Sequence, residues 1–161
     1  MDKENRGGCR EGVQMDALPH LIASCPQPDE DDLFDDFSAF CTVDELLRSW
    51  RDGQGLVRTV GVTRVTVLVS STGQMHAMQA TCPHAGGPLN EGELVPEKGR
   101  ATGISCPWHH MTFSLETGQL ESDVCDIEDM PSSDTCGSIS LFNVCVHDDE
   151  VHVSTKCKIR R

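Results

Sequence analysis

No run of about 18 apolar residues occurs anywhere in the 161-residue chain, so no transmembrane helix is expected. The first residues, MDKENRGGCREGV, lack the apolar stretch of a secretory signal. Positive charge is scarce too: 13 lysines and arginines face 26 aspartates and glutamates, for a net charge of −13. Such a chain repels phosphate, which excludes direct nucleic-acid binding and favours a basic protein partner. Nine cysteines form an odd set without a signal peptide, which argues against a disulfide framework. The expectation is a cytoplasmic monomer with free thiols and a metal site.

What is present divides into a tail and a body. Residues 1–40 hold glycine, proline and the acidic block DEDDLFDDF, and read as a disordered acidic tail. Leu33, Phe34, Phe37 and Phe40 have helix-face spacing, so a partner-induced helix is the alternative there. Residues 41–156 form the body, and 157–161 a short basic tail. Thr42 stands three residues before Glu45, a capping box that opens one short helix through Leu46, Leu47 and Trp50.

Beyond it, Val65, Val67 and Val69 alternate with Thr66, Leu68 and Ser70, the period of a half-buried strand. The turn residues 71–73 lead into a further strand that ends at Cys82. ISLFNVCVHDDEVHVS reads as two strands joined at Asp148-Asp149. The body is therefore an all-β domain with its chemistry on loops. The acidic stretch 120–138, with Asp123, Asp126, Glu128 and Asp129, reads as an exposed loop suited to steering a basic partner.

Two loops carry mixed ligand pairs: Cys82-x-His84 in CPHAGGPL, and Cys106-x-x-His109 in CPWHHMTFSLETG. Two thiolates and two imidazoles suit a 2Fe–2S cluster, or a single tetrahedral zinc that holds a binding module together. Zinc fingers usually pair cysteine with cysteine, whereas each loop here mixes its donors, and this favours the cluster. Gly86 and Gly87 allow close backbone approach, while Pro83, Pro88 and Pro107 stiffen the loops. Met111 and Phe113 read as packing residues. His110 reads as a surface histidine, with partner docking or proton movement as the alternative. His20, His76, His147 and His152 have no partner spacing and receive no role.

The paired motif resembles that of Rieske iron–sulfur proteins, especially small soluble ferredoxins and compact eukaryotic Rieske-domain proteins. The resemblance spans residues 41–154. It implies three antiparallel sheets, with a cluster-binding subdomain at 81–121 inserted into a β base. It also implies one 2Fe–2S cluster, with Cys82 and Cys106 on one iron and His84 and His109, at an exposed tip, on the other. Trp108 is expected to shield the cluster from water. The implied function is electron transfer from an NAD(P)H-dependent reductase to an oxygenase-type acceptor, without catalysis by this chain.

Respiratory Rieske subunits carry two further cysteines where this chain has Gly87 and Trp108. High-potential members place a serine and a tyrosine two and four residues after the second ligand histidine. Met111 and Phe113 stand there, so the resemblance implies a low reduction potential.

Overall fold

A computed structural model describes residues 36–70, 72–97, 100–121 and 137–158. The described chain is antiparallel β-sheet with one α-helix. The strands are β1 (Phe37–Thr42), β2 (Leu56–Val60), β3 (Thr63–Val69), β4 (Met75–Gln79), β5 (Glu93–Glu97), β6 (Arg100–Ser105), β7 (Thr112–Ser114), β8 (Leu141–His147) and β9 (Glu150–Cys157). Helix α1 covers Val43–Arg51.

Local chemistry explains most of these boundaries. Thr42 Oγ1 accepts from the Glu45 amide at 3.2 Å, and Glu45 Oε2 accepts from the Thr42 amide at 3.0 Å. Two of the amide donors at the helix start are thereby satisfied. Asp44 and Glu45 lie in the first turn and Arg48 and Arg51 in the last, which suits the helix dipole. Asp148 and Asp149 have φ of 50° and 62° between β8 and β9. Two consecutive left-handed residues match the twist of a tight hairpin, and aspartate tolerates them better than most residues do.

Six strands pair in the order β1-β9-β8-β4-β3-β2, and three in the order β5-β6-β7. Three sheets were expected. The large sheet in fact consists of two three-stranded halves, because β4 and β8 pair only through Ala77–Phe142 and Met78–Leu141. That short seam merges two of the three sheets into one. The small sheet is formed entirely by chain between β4 and β8, an insertion into the β base.

Two apolar clusters follow from this arrangement. One lies inside the base, where Leu46 and Leu47 of α1 meet Val65, Val67, Val151 and Val153. The other joins the base to the small sheet through Leu68, Met78, Leu89, Ile104, Phe113 and Leu141, and includes Cys82 and Cys106. The ligand loops therefore stand on a packed core. Burial pushes the Cys41 thiol in the first cluster up to about 12, Glu45 adding to the shift and Arg58 opposing it.

β1 corrects the reading of residues 37–40 as tail or helix. Phe37 pairs with Ser154 and Thr42 with Glu150. The register slips between Ala39 and Cys41, so Phe40 and Cys41 are both buried although they are neighbours. A bulge of this kind breaks strand alternation and hides the strand from pattern reading. Residues 1–35 and 122–136, with their acidic blocks, lie outside the described residues.

Phe40 is 6% exposed, so Phe40→Ala is expected to cost about 3–5 kcal/mol of unfolding free energy. Denaturant unfolding measures this. A loss below about 0.5 kcal/mol, the range of surface substitutions, would return the segment to the tail.

Candidate metal centre

The two ligand loops are built on the same turn. The Cys82 amide donates to Gly87 O at 2.8 Å, and the Gly86 amide returns to Cys82 O at 3.0 Å. The Cys106 amide donates to Met111 O at 2.9 Å, and the His110 amide returns to Cys106 O at 2.9 Å. Each cysteine thus bonds to the residues four and five positions ahead. The fourth residue is left-handed in both loops: Gly86 has φ 77° and His110 has φ 56°. Glycine adopts this freely, whereas histidine costs about 1–2 kcal/mol. The unequal spacings C-x-H and C-x-x-H conceal this shared geometry in the sequence.

The loops bring all four predicted side chains together. Cys82 and Cys106 are buried and their thiols hydrogen-bond to each other. Burial pushes the Cys82 thiol up, and the neighbouring Cys106 adds to this. The His84 and Ala85 amides donate to the Cys82 sulfur and act in the opposite sense. The His84 and His109 rings meet edge to face, with centroids 4.7 Å apart. His84 is half-buried and His109 exposed, so the polarity runs from buried sulfur outward to imidazole. His84 Nδ1 is buried without a hydrogen-bond partner among the described residues. A buried nitrogen of this kind is costly unless a group outside the chain satisfies it.

Gly87 completes the cradle. A Cβ built there would lie 2.6 Å from Cys106 Sγ and 3.3 Å from Cγ and Cδ2 of Trp108. Only a glycine lets the first loop approach the second cysteine this closely. The same contact seats the Trp108 ring on the Gly87 backbone. The tryptophan is 57% exposed, so any shielding it gives acts through its inner face alone. It covers one loop junction and presents its outer face to solvent.

A family model described as Rieske [2Fe-2S] domain matches residues 39–131. The chain belongs to that family. Human apoptosis-inducing factor 3 is 34% identical over 128 residues, which are 80% of this chain and 18% of that protein. The chain thus spans less than a fifth of that relative's length. The ferredoxin component of the alkene monooxygenase system of Xanthobacter autotrophicus is 37% identical over 58% of this chain and 68% of its own. Among solved structures, the ferredoxin of carbazole 1,9a-dioxygenase from Nocardioides aromaticivorans superposes with a TM-score of 0.55. At 21% identity it covers 75% of this chain and 99% of its own, and it supports the shared fold.

The Rieske domain's cofactor is one 2Fe–2S cluster. The residues present fit it: a thiol pair, an imidazole pair, the buried unsatisfied His84 nitrogen and the gap left by Gly87. Residue types and spacing pointed to the four candidates. The close approach at Gly87 and the left-handed backbone at His110 needed coordinates.

Gly87→Ala is expected to displace Cys106 Sγ and lose most iron and sulfide per chain. Gly86→Ala strains the backbone by about 1–2 kcal/mol but meets nothing within 4 Å, so it is expected to keep its cluster. Iron analysis and visible absorption measure both variants. Equal loading in both would remove the close approach from the account.

Proposed function

We propose that the chain is a Rieske-type ferredoxin: it accepts single electrons from an NAD(P)H-dependent reductase and passes them to an oxygenase-type acceptor. In this reading Cys82 and Cys106 hold one iron and His84 and His109 the other. The bound cluster supplies a one-electron centre. The observation that carries the proposal is the gradient of exposure, from buried thiols to the open His109 ring. That ring is the natural exit for an electron, while the packed core beneath the cysteines keeps water from the sulfur side.

Partner chemistry is supported by the similarity to a ferredoxin component of an alkene monooxygenase system. The net charge of −13 supports docking on a basic face. Among the described residues no helix is long and apolar enough to cross a membrane. Buried Cys41 is a free thiol, and this supports a reducing, cytoplasmic setting. The proposal takes the chain as a monomer.

Residues around the second loop tune the electron affinity. A hydroxyl donor aimed at cluster sulfur favours the reduced, more negative state and raises the potential. Met111 and Phe113 are buried beside Cys106 and offer no hydroxyl. A hydrogen bond to a charged group contributes about 1.5–3 kcal/mol, so each missing donor lowers the potential by roughly 60–130 mV. The expected potential lies near the low end of the roughly −150 to +300 mV Rieske range, suited to a nicotinamide-linked donor.

Protein-film voltammetry of wild type, Met111→Ser and Phe113→Tyr tests this. A reversible low-potential wave that rises in both variants is expected. A wild-type potential above about +100 mV, in the upper part of the Rieske range, would contradict the ferredoxin reading.

A further inference from the structure

The β8–β9 hairpin ends far from the ligand loops. β8 starts beside Gln79, whose main chain and side chain both bond Ser140, and the cluster-side core lies there. It then runs seven residues, about 20 Å at strand rise, to His147. The tip gathers His147, Asp148, Asp149, Glu150 and His152; the sequence pattern gave the two histidines no role and the two aspartates only the turn.

Strand register puts the donors on one face. His147 stands opposite Glu150, and Cys145 opposite His152. Because side chains alternate, His147, Glu150 and His152 share the face that also bears buried Cys145. The His147 and His152 rings lie 6.4 Å apart between centroids, at 77° to each other. Two imidazoles bound to one ion at about 2.1 Å place their centroids about 5.3 Å apart at a tetrahedral angle and about 6.5 Å apart when opposite each other, so the pair fits opposite positions and is about 1 Å wide for a tetrahedron. His152 Nε2 is 3.8 Å from Glu150 Oε2, slightly wider than the roughly 3.4 Å edge of a tetrahedron with such bonds. His147 Nδ1 is 3.3 Å from Asp148 Oδ2. A carboxylate on Nδ1 fixes the tautomer and frees Nε2 as a donor, the usual orienting arrangement for metal-bound histidine.

We propose that His147, His152 and Glu150 form a mononuclear site for a divalent transition ion of the zinc, copper or nickel class, with Asp148 orienting His147. Two imidazoles and a carboxylate suit these ions better than calcium or magnesium. Among the described residues no three such donors already converge on one point. Closure requires rotation of the exposed Glu150 and His147 about their side-chain bonds, with the exposed Asp148 carboxylate following His147 Nδ1. Asp149, Glu150 and Asp148 add negative charge where the ion would sit. The Asp149 carbonyl also accepts from the Val43 amide at 2.9 Å, so a bound ion clips the hairpin that anchors the start of α1. The site is independent of the cluster.

Ni²⁺ is the probe, because it suits imidazole and carboxylate donors while zinc is also drawn to thiolates. Calorimetric titration of the full-length, cluster-loaded protein, with its visible spectrum monitored, should show one imidazole-dependent Ni²⁺ site. His147→Ala and His152→Ala are each expected to weaken it at least tenfold, and Glu150→Gln by a smaller factor. Ni²⁺ should raise the thermal midpoint of wild type but not of the double variant His147→Ala/His152→Ala. In case a variant folds poorly, paramagnetic broadening in wild type should fall first on the His147 and His152 ring signals. Unchanged Ni²⁺ affinity in the folded double variant, broadening centred on other histidines, or no binding at millimolar Ni²⁺ would each overturn the site.

Discussion

Burying two thiols side by side is the constraint on which the rest of this domain depends. Burial disfavours the Cys82 thiolate, and the neighbouring Cys106 sulfur opposes its ionisation further, so a cation bound there would have to take the place of a firmly held proton. The chain prepares for that exchange with fixed backbone. The His84 and Ala85 amides already point at the Cys82 sulfur, and Gly87 leaves the Cys106 sulfur the space it needs. Both loops use the same pair of main-chain bonds around their cysteine, so neither depends on the cofactor alone for its turn. The second apolar cluster, from Leu68 to Leu141, supplies the rigid floor.

The same arrangement gives the site its direction. Sulfur lies toward the core, and the two imidazoles stack edge to face toward solvent. Trp108 rests on Gly87 and spans the two loops at the positions where respiratory relatives carry a cysteine pair. A packing contact stands where a covalent link is found elsewhere, and its exposed face adds apolar surface to the tip. His110 keeps a left-handed backbone that glycine would adopt more cheaply, and the matching position in the first loop is Gly86. Nothing else in the described structure accounts for histidine there.

Much of this was legible in the residues because the signals are local. Thr42 and Glu45 announced the helix through side chains that cap it within four residues. Val65 to Val69 and the Asp148-Asp149 turn announced strands by alternation and turn chemistry. The candidate ligand set stood out because thiolates and imidazoles in mixed pairs have few other uses. β1 was not, since its bulge makes Phe40 and Cys41 consecutive core residues. β5 was hidden by Pro96, which its edge position tolerates. The proximity of His147 and His152 was equally hidden, because five residues of separation mean nothing until hairpin register brings them to one face.

In the proposed assignment one buried thiol pair and one outward imidazole pair share a single cluster. Pulsed electron paramagnetic resonance of the reduced protein, labelled with ¹⁵N-histidine, tests it most directly. Two histidine nitrogens should couple to the unpaired electron. One should remain in His84→Cys and one in His109→Cys, with every other histidine silent. A spectrum without histidine coupling, or one unchanged when both His84 and His109 are replaced, would contradict the assignment.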